Sequence, residues 1–145
     1  MRLLFPILAV VALVTACASQ PGAAGGAGSS SSAPPDNALV VEIHRGGSAP
    51  AETYMLTCGT TVTGNHPDGG AACAHLATLK NPFAPIPGDM MCNQIYGGPQ
   101  TAHVTGRWNG KTVDLKLSRT DGCRVEQWAS LGPLLPGPVG AAPPS

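Results

Sequence analysis

Thr101-Ala102-His103-Val104-Thr105-Gly106-Arg107-Trp108-Asn109-Gly110-Lys111-Thr112-Val113-Asp114-Leu115-Lys116-Leu117 is a pair of strand-like runs joined by Asn-Gly, whose two residues tolerate the left-handed backbone of a tight hairpin turn. The turn sets the register. With Trp108 opposite Lys111, Gly106 faces Val113 and Val104 faces Leu115. Val104, Trp108, Val113, Leu115 and Leu117 then share one apolar face, and Arg107, Thr112, Asp114 and Lys116 take the polar one. A sheet with one packed face follows.

Upstream, Ala38-Leu39-Val40-Val41-Glu42-Ile43-His44 is β-branched and bounded by Pro35 and Gly46-Gly47, which predicts a first strand. Tyr54-Met55-Leu56-Thr57-Cys58 predicts a second, its alternation putting Tyr54, Leu56 and Cys58 on the packed side. In Gly64-Asn65-His66-Pro67-Asp68, Pro67 suits a first helical position with Asn65 or His66 before it. A short helix over Ala71 to Leu79 follows, with Ala72, Cys73, Leu76, Ala77 and Leu79 or Lys80 on one stripe facing the sheet.

Between helix and hairpin, Met91-Cys92-Asn93-Gln94-Ile95-Tyr96-Gly97-Gly98-Pro99 is too short and too turn-bounded for a core helix. Pro82, Pro85, Pro87 and Gly88 keep the chain before it extended, so the stretch reads as a tethered, exposed loop. Such a loop is either a stapled surface turn or a preformed ligand for a partner that grips extended peptide, as proteases do. After a Thr120-Asp121-Gly122 turn, Cys123 to Trp128 is expected to return as a last strand beneath it.

The ends suggest export. Met1 to Ala16 is one positive charge and an apolar run too short to span a bilayer, and Val14-Thr15-Ala16-Cys17 resembles a bacterial lipobox. Residues 1–16 are therefore expected to be a lipoprotein signal peptide, and Cys17 an acylated first residue holding the protein to the outer face of a membrane. The alternative is ordinary cleavage at an Ala-x-Ala-like site, with Cys17 discarded or free and the protein extracellular. Residues 17–37 then form a flexible Ala/Gly/Ser/Pro tether, 38–132 a single domain, and 133–145 a Pro-rich disordered tail.

A domain this small commonly needs staples. Setting Cys17 aside from the five cysteines leaves Cys58, Cys73, Cys92 and Cys123, an even set in an exported chain that allows three connectivities. Spacing does not choose among them. The predicted helix stripe brings Cys73 to Cys58, and the predicted last strand brings Cys123 to Cys92. Formal charge is zero with 11% charged residues, and the basic residues are scattered, which argues against a nucleic-acid partner. His44, His66, His75 and His103 fall on separate elements, with no recognisable triad or glycine-flanked serine, so no enzyme and no cofactor is expected. His66, Cys73 and His75 match no structural zinc spacing, and no metal is expected.

Taken in order, Leu56-Thr57-Cys58, Gly64-Asn65-His66-Pro67, Ala71-Ala72-Cys73-Ala74-His75-Leu76-Ala77, Met91-Cys92-Asn93-Gln94-Ile95-Tyr96 and Gly106-Arg107-Trp108-Asn109-Gly110-Lys111-Thr112-Val113 resemble the Streptomyces subtilisin inhibitor type of serine protease inhibitor. The resemblance implies an α+β fold: an antiparallel sheet of about five strands covered by one or two short helices, with disulfides Cys58–Cys73 and Cys92–Cys123. It also implies a reactive-site loop of Met91, Cys92, Asn93, Gln94, Ile95 and Tyr96, entering a subtilisin-like or trypsin-like protease with Gln94 in the primary pocket and Gln94–Ile95 at the nucleophile. Inhibitors of this type commonly dimerise, which leaves a homodimer open here.

Departures from the family pattern concentrate at the loop. Gln94 stands where the family offers a large apolar or basic residue, and burying its amide in an apolar pocket costs about 1–3 kcal/mol. The family's loop-supporting asparagine is Asp121 here or is lost, and Gly97-Gly98 replaces a tighter aspartate-proline turn. Leu134-Leu135 and the Pro-rich tail replace an aromatic carboxyl terminus. These changes give the competing expectation: a lipid-anchored cell-envelope binding module that keeps the fold without inhibiting.

Overall fold

A computed structural model describes residues 34–137. Cys17, the expected signal peptide, most of the expected tether and residues 138–145 lie outside the described residues.

The strands are β1 (Ala38–His44), β2 (Glu52–Thr57), β3 (Thr63–Gly64), β4 (Thr101–Trp108) and β5 (Lys111–Leu117). They form one antiparallel sheet in the order β3-β2-β1-β4-β5. Two α-helices, α1 (Gly69–Thr78) and α2 (Gly122–Ser130), and a 3-10 turn at Gly132–Leu134 complete the α+β domain.

Strand alternation dictates the core. Leu39, Val41 and Ile43 of β1, Ala102, Val104 and Trp108 of β4, and Val113, Leu115 and Leu117 of β5 point to one face and are buried. They meet Ala72 and Leu76 of α1, Trp128 of α2, and Leu131, Leu134 and Leu135 beyond it. The β4–β5 register pairs Trp108 with Lys111, Gly106 with Val113 and Val104 with Leu115, as the Asn-Gly turn dictates. Asn109 (φ 48°) and Gly110 (φ 72°) supply the left-handed pair.

Gly106 has a second constraint. Its φ is +128°, and a Cβ there would collide with the carbonyl oxygen of Ala38 across the β1–β4 ladder. We therefore expect Gly106→Ala to destabilise the domain by roughly 1–3 kcal/mol, read as a lower urea midpoint at unchanged m.

Three expectations need correction. Cys123 to Trp128 is not a strand but the body of α2: helical spacing, not alternation, puts Val125 and Trp128 on the inner face, and Asp121 caps the helix by accepting from the Arg124 N–H at 3.1 Å. The fifth strand is instead the two-residue β3. The start of α1 also moves, since its N-cap is Asp68 and not Asn65 or His66. Those two side chains are occupied elsewhere. Asn65 accepts from Met55 N–H (2.5 Å) and donates to Thr53 O (3.3 Å), pinning the β2 edge. Buried His66 accepts the Asp68 N–H on Nδ1 and donates from Nε2 to Leu134 O at 2.9 Å.

That last bond bears on the tail. Residues 133–137 are not a structureless extension: Leu134, Leu135 and Pro136 are buried. Arg45 holds the segment by donating to Pro136 O at 2.6 Å while it pairs with Glu52 at 2.8 Å, and the Tyr54 hydroxyl donates to the same Glu52 carboxylate at 2.8 Å. The guanidinium and the hydroxyl hold the Glu52 carboxyl below its ordinary range, and hydrogen bonding to that carboxylate raises Tyr54.

Candidate functional site

From the end of α1 to Thr101 the chain forms neither helix nor strand, yet it is pinned at intervals. The Phe83 ring packs edge-on against Trp108 at 6.1 Å, and Gln127 donates to Ala84 O at 2.9 Å. Beyond these holds the chain runs into solvent. Met91 is 97% exposed, Ile95 58% and Tyr96 56%, and Asn93 and Gln94 are also exposed. This exposed cluster of large apolar residues makes the loop a candidate partner-binding surface.

The loop is exposed in its side chains and held through its backbone. Cys92 is bonded to Cys123. Asn93 O accepts the Gly122 N–H at 3.0 Å, and the Gly97 N–H donates to Arg119 O at 2.7 Å. Asn93 Oδ1 also accepts the Ile95 N–H at 3.4 Å, bridging Gln94 in an Asx turn. The Gln94–Ile95 bond is therefore bracketed: a disulfide and a hydrogen bond precede it, and a second hydrogen bond follows it.

The close approach requires glycine on both sides. A Cβ at Gly122 would collide with the Asn93 side chain, and one at Gly97 would sit 2.5 Å from Val125 Cγ2 and 3.3 Å from Arg119. Gly98, at φ +125°, turns the chain back toward β4. The platform beneath the loop is thus residues 119–125, the end of β5's extension and the first turn of α2.

Asp121 acts at the corner of this platform. Its Oδ1 caps α2 and its Oδ2 pairs with the Arg124 guanidinium. The Arg124 N–H, then its guanidinium, hold the carboxyl below its ordinary range. A depressed carboxyl stabilises the fold above the unfolded-state pKa and loses that contribution as pH falls through the lower folded value. Melting temperatures of wild type and Asp121→Asn should therefore differ at neutral pH and converge as pH drops below about 4. Glu52, depressed in the same direction, is intact in both proteins and cancels from the comparison.

The remaining candidates are spent on structure. Cys58 pairs with Cys73, tying β2's end to α1, and Cys58 N–H donates to Asn37 O at 2.8 Å. His44 pairs with Glu42 and His103 with Asp114 on the outer sheet face, and His75 bonds Ser130 O at 2.8 Å. Cys92, Asp121 and Cys123 offer ligand atoms within 4.8 Å of one another, but the sulfurs are bonded together and present no thiolate to a metal.

The model of the family described as subtilisin inhibitor-like matches residues 35–119. The chain belongs to the subtilisin inhibitor-like family. A subtilisin inhibitor-like protein 4 from Streptomyces lavendulae is 35% identical over 93 residues, covering 60% of this chain and 79% of the relative. A subtilisin inhibitor from Streptomyces violaceus is 34% identical over 103 residues, covering 66% and 68%. Among solved structures, Streptomyces caespitosus sermetstatin in complex with Bacillus licheniformis subtilisin aligns over 67% of this chain and 94% of its own, at 26% identity and a TM-score of 0.44.

In this member of the subtilisin inhibitor-like family, Met91, Cys92, Asn93, Gln94, Ile95 and Tyr96 lie together on one projecting loop. Arg119 and Gly122, which hold it from below, were not singled out from the sequence. Their hydrogen bonds to the loop use a backbone carbonyl and a backbone N–H, groups that residue identity does not advertise. Asp121 supports the loop only indirectly, by capping the helix whose first residue, Gly122, bonds Asn93.

Proposed function

We propose that this chain inhibits serine endopeptidases of the subtilisin-like or trypsin-like kind by presenting residues 91–96 as a substrate, with Gln94 in the primary pocket and Gln94–Ile95 at the nucleophile. The observation that supports this most directly is the bracketing of that bond, with exposed side chains and anchored backbone on either side. A preordered extended segment binds with little loss of conformational freedom. If the protease serine attacks the Gln94 carbonyl, the C–N bond breaks and Ile95 leaves as a free amine. The amine stays beside the ester because Gly97 is held to Arg119, and Gln94 stays because Cys92 and Asn93 are held to residues 122–123. Attack of the amine on the ester reforms the peptide bond, the C–O bond to the serine breaks, and the amine's proton passes to the serine oxygen. Religation then competes with hydrolysis. The inhibitor supplies no catalytic group.

The test is titration of the oxidised protein against subtilisin-like and trypsin-like proteases, with residual activity and inhibitor mass read together. Stoichiometric loss of activity with a single cut at Gln94–Ile95 is the expected result. Proteases that stay fully active would point to the binding-module alternative, whose motive is the neutral amide of Gln94.

The lipobox-like Val14-Thr15-Ala16-Cys17 supports a membrane anchor at Cys17, which would station the inhibitor at the cell surface. Cys17→Ala should move the protein from the membrane fraction to the medium.

A further inference from the structure

Arg119 lies beneath the loop's return limb, and the residue is 9% exposed. Among the described residues it faces no carboxylate. Its Nη1 donates to Gln100 Oε1 at 3.1 Å, its guanidinium lies 6.0 Å from the Trp128 ring centroid, and its Nε has no partner. Burying an arginine with one neutral hydrogen bond and one aromatic face is a poor bargain for stability alone. Its position is what distinguishes it. The Arg119 Cβ and Nε are each 3.3 Å from where a Gly97 Cβ would be, and Nη1 is 3.4 Å from the corresponding point at Gly98, which also abuts Gln100 Oε1. The side chain therefore forms a floor under both glycines, and its own carbonyl accepts the Gly97 N–H.

We propose that Arg119, with Gln100 as its partner, is a positioning residue for the segment that follows the reactive bond. Its stem and guanidinium fill the space under Gly97-Gly98 that a two-glycine turn leaves open, and so hold Ile95 and Tyr96 where the amine must wait for religation. This rests on the loop reading above, with Gln94–Ile95 as the bond attacked. The Cys92–Cys123 disulfide tethers the acyl side, and Arg119 tethers the amine side.

The experiment compares wild type with Arg119→Met, which keeps a stem without the charge, and Arg119→Lys, at a temperature well below each melting transition. In the free protein, amide exchange at Gly97 should accelerate about tenfold or more in Arg119→Met, with Val104 and Leu115 in the sheet unchanged, because a local opening moves only the limb that loses its floor. With a subtilisin-like protease, Arg119→Met should be cut through at Gln94–Ile95 about tenfold faster and regain protease activity with time. Arg119→Lys should fall between. A merely structural arginine would lower the melting temperature and leave Gly97 exchange and the cut rate unmoved, which would overturn the proposal. Should Arg119→Met not fold, Gln100→Ala removes the guanidinium's hydrogen-bond partner and is read the same way. If wild type inhibits nothing, the loop reading fails by itself, and the Gly97 exchange still decides whether Arg119 holds this limb.

Discussion

Replacing both Cys92 and Cys123 by serine should turn the protein from an inhibitor into a substrate. The disulfide joins residues 31 apart in sequence, and the chain-entropy model assigns a ring of that size about 3–4 kcal/mol. That is a large fraction of the net stability of a small domain. Its local effect is greater than its global one, because the sheet core and Cys58–Cys73 do not depend on it. Without it, only the Asn93–Gly122 hydrogen bond holds the acyl side of the bond, and one exposed hydrogen bond contributes about 1 kcal/mol. The new carboxyl end then drifts from the amine faster than religation recovers it. The expected result is a folded variant with the wild-type tryptophan emission of Trp108 and Trp128, a lower melting temperature, and rapid complete cleavage at Gln94–Ile95 by a protease that the parent blocks. A double-serine variant that stays folded and inhibits as durably as wild type would show that the Asn93–Gly122 hydrogen bond suffices to retain the acyl side.

Gln94→Met should tighten binding to a subtilisin-like protease by about tenfold to a hundredfold. Gln94 is exposed, and among the described residues its amide has no hydrogen-bond partner, so the substitution removes nothing from the free inhibitor. In an apolar primary pocket the amide loses its water without replacement, at about 1–3 kcal/mol, whereas methionine, of similar length and wholly apolar, gains burial. The melting temperature should not move. Equilibrium inhibition constants for the two proteins decide the matter. Unchanged binding would mean either that residue 94 does not enter the pocket or that the pocket offers the amide a partner, and the site of slow cleavage separates these outcomes.

Turn chemistry and alternation made much of the fold legible. Asn109-Gly110 determined the β4–β5 register, and β1 is bounded as its flanking prolines and glycines imply. The faces so defined account for Val104, Trp108, Val113, Leu115 and Leu117 in the core. The candidate loop was legible from its prolines, its cysteine and its Gly-Gly-Pro end. Cys123 to Trp128 was not, since six residues ending in tryptophan satisfy a strand and a helix equally well. The choice fell to the Asp121 cap and to the contact of Trp128 with the sheet.

By itself the sequence determined what neighbours along the chain encode: strands, their faces, the hairpin register and a loop too proline- and glycine-rich to fold onto itself. Only the tertiary structure decided how that loop is held. The Asn93–Gly122 and Gly97–Arg119 hydrogen bonds, the arginine under the double glycine and the tail drawn in by Arg45 and His66 join residues far apart in sequence. Most of these contacts engage backbone groups that every residue carries, so their partners are fixed by where the packed sheet and helices deliver them.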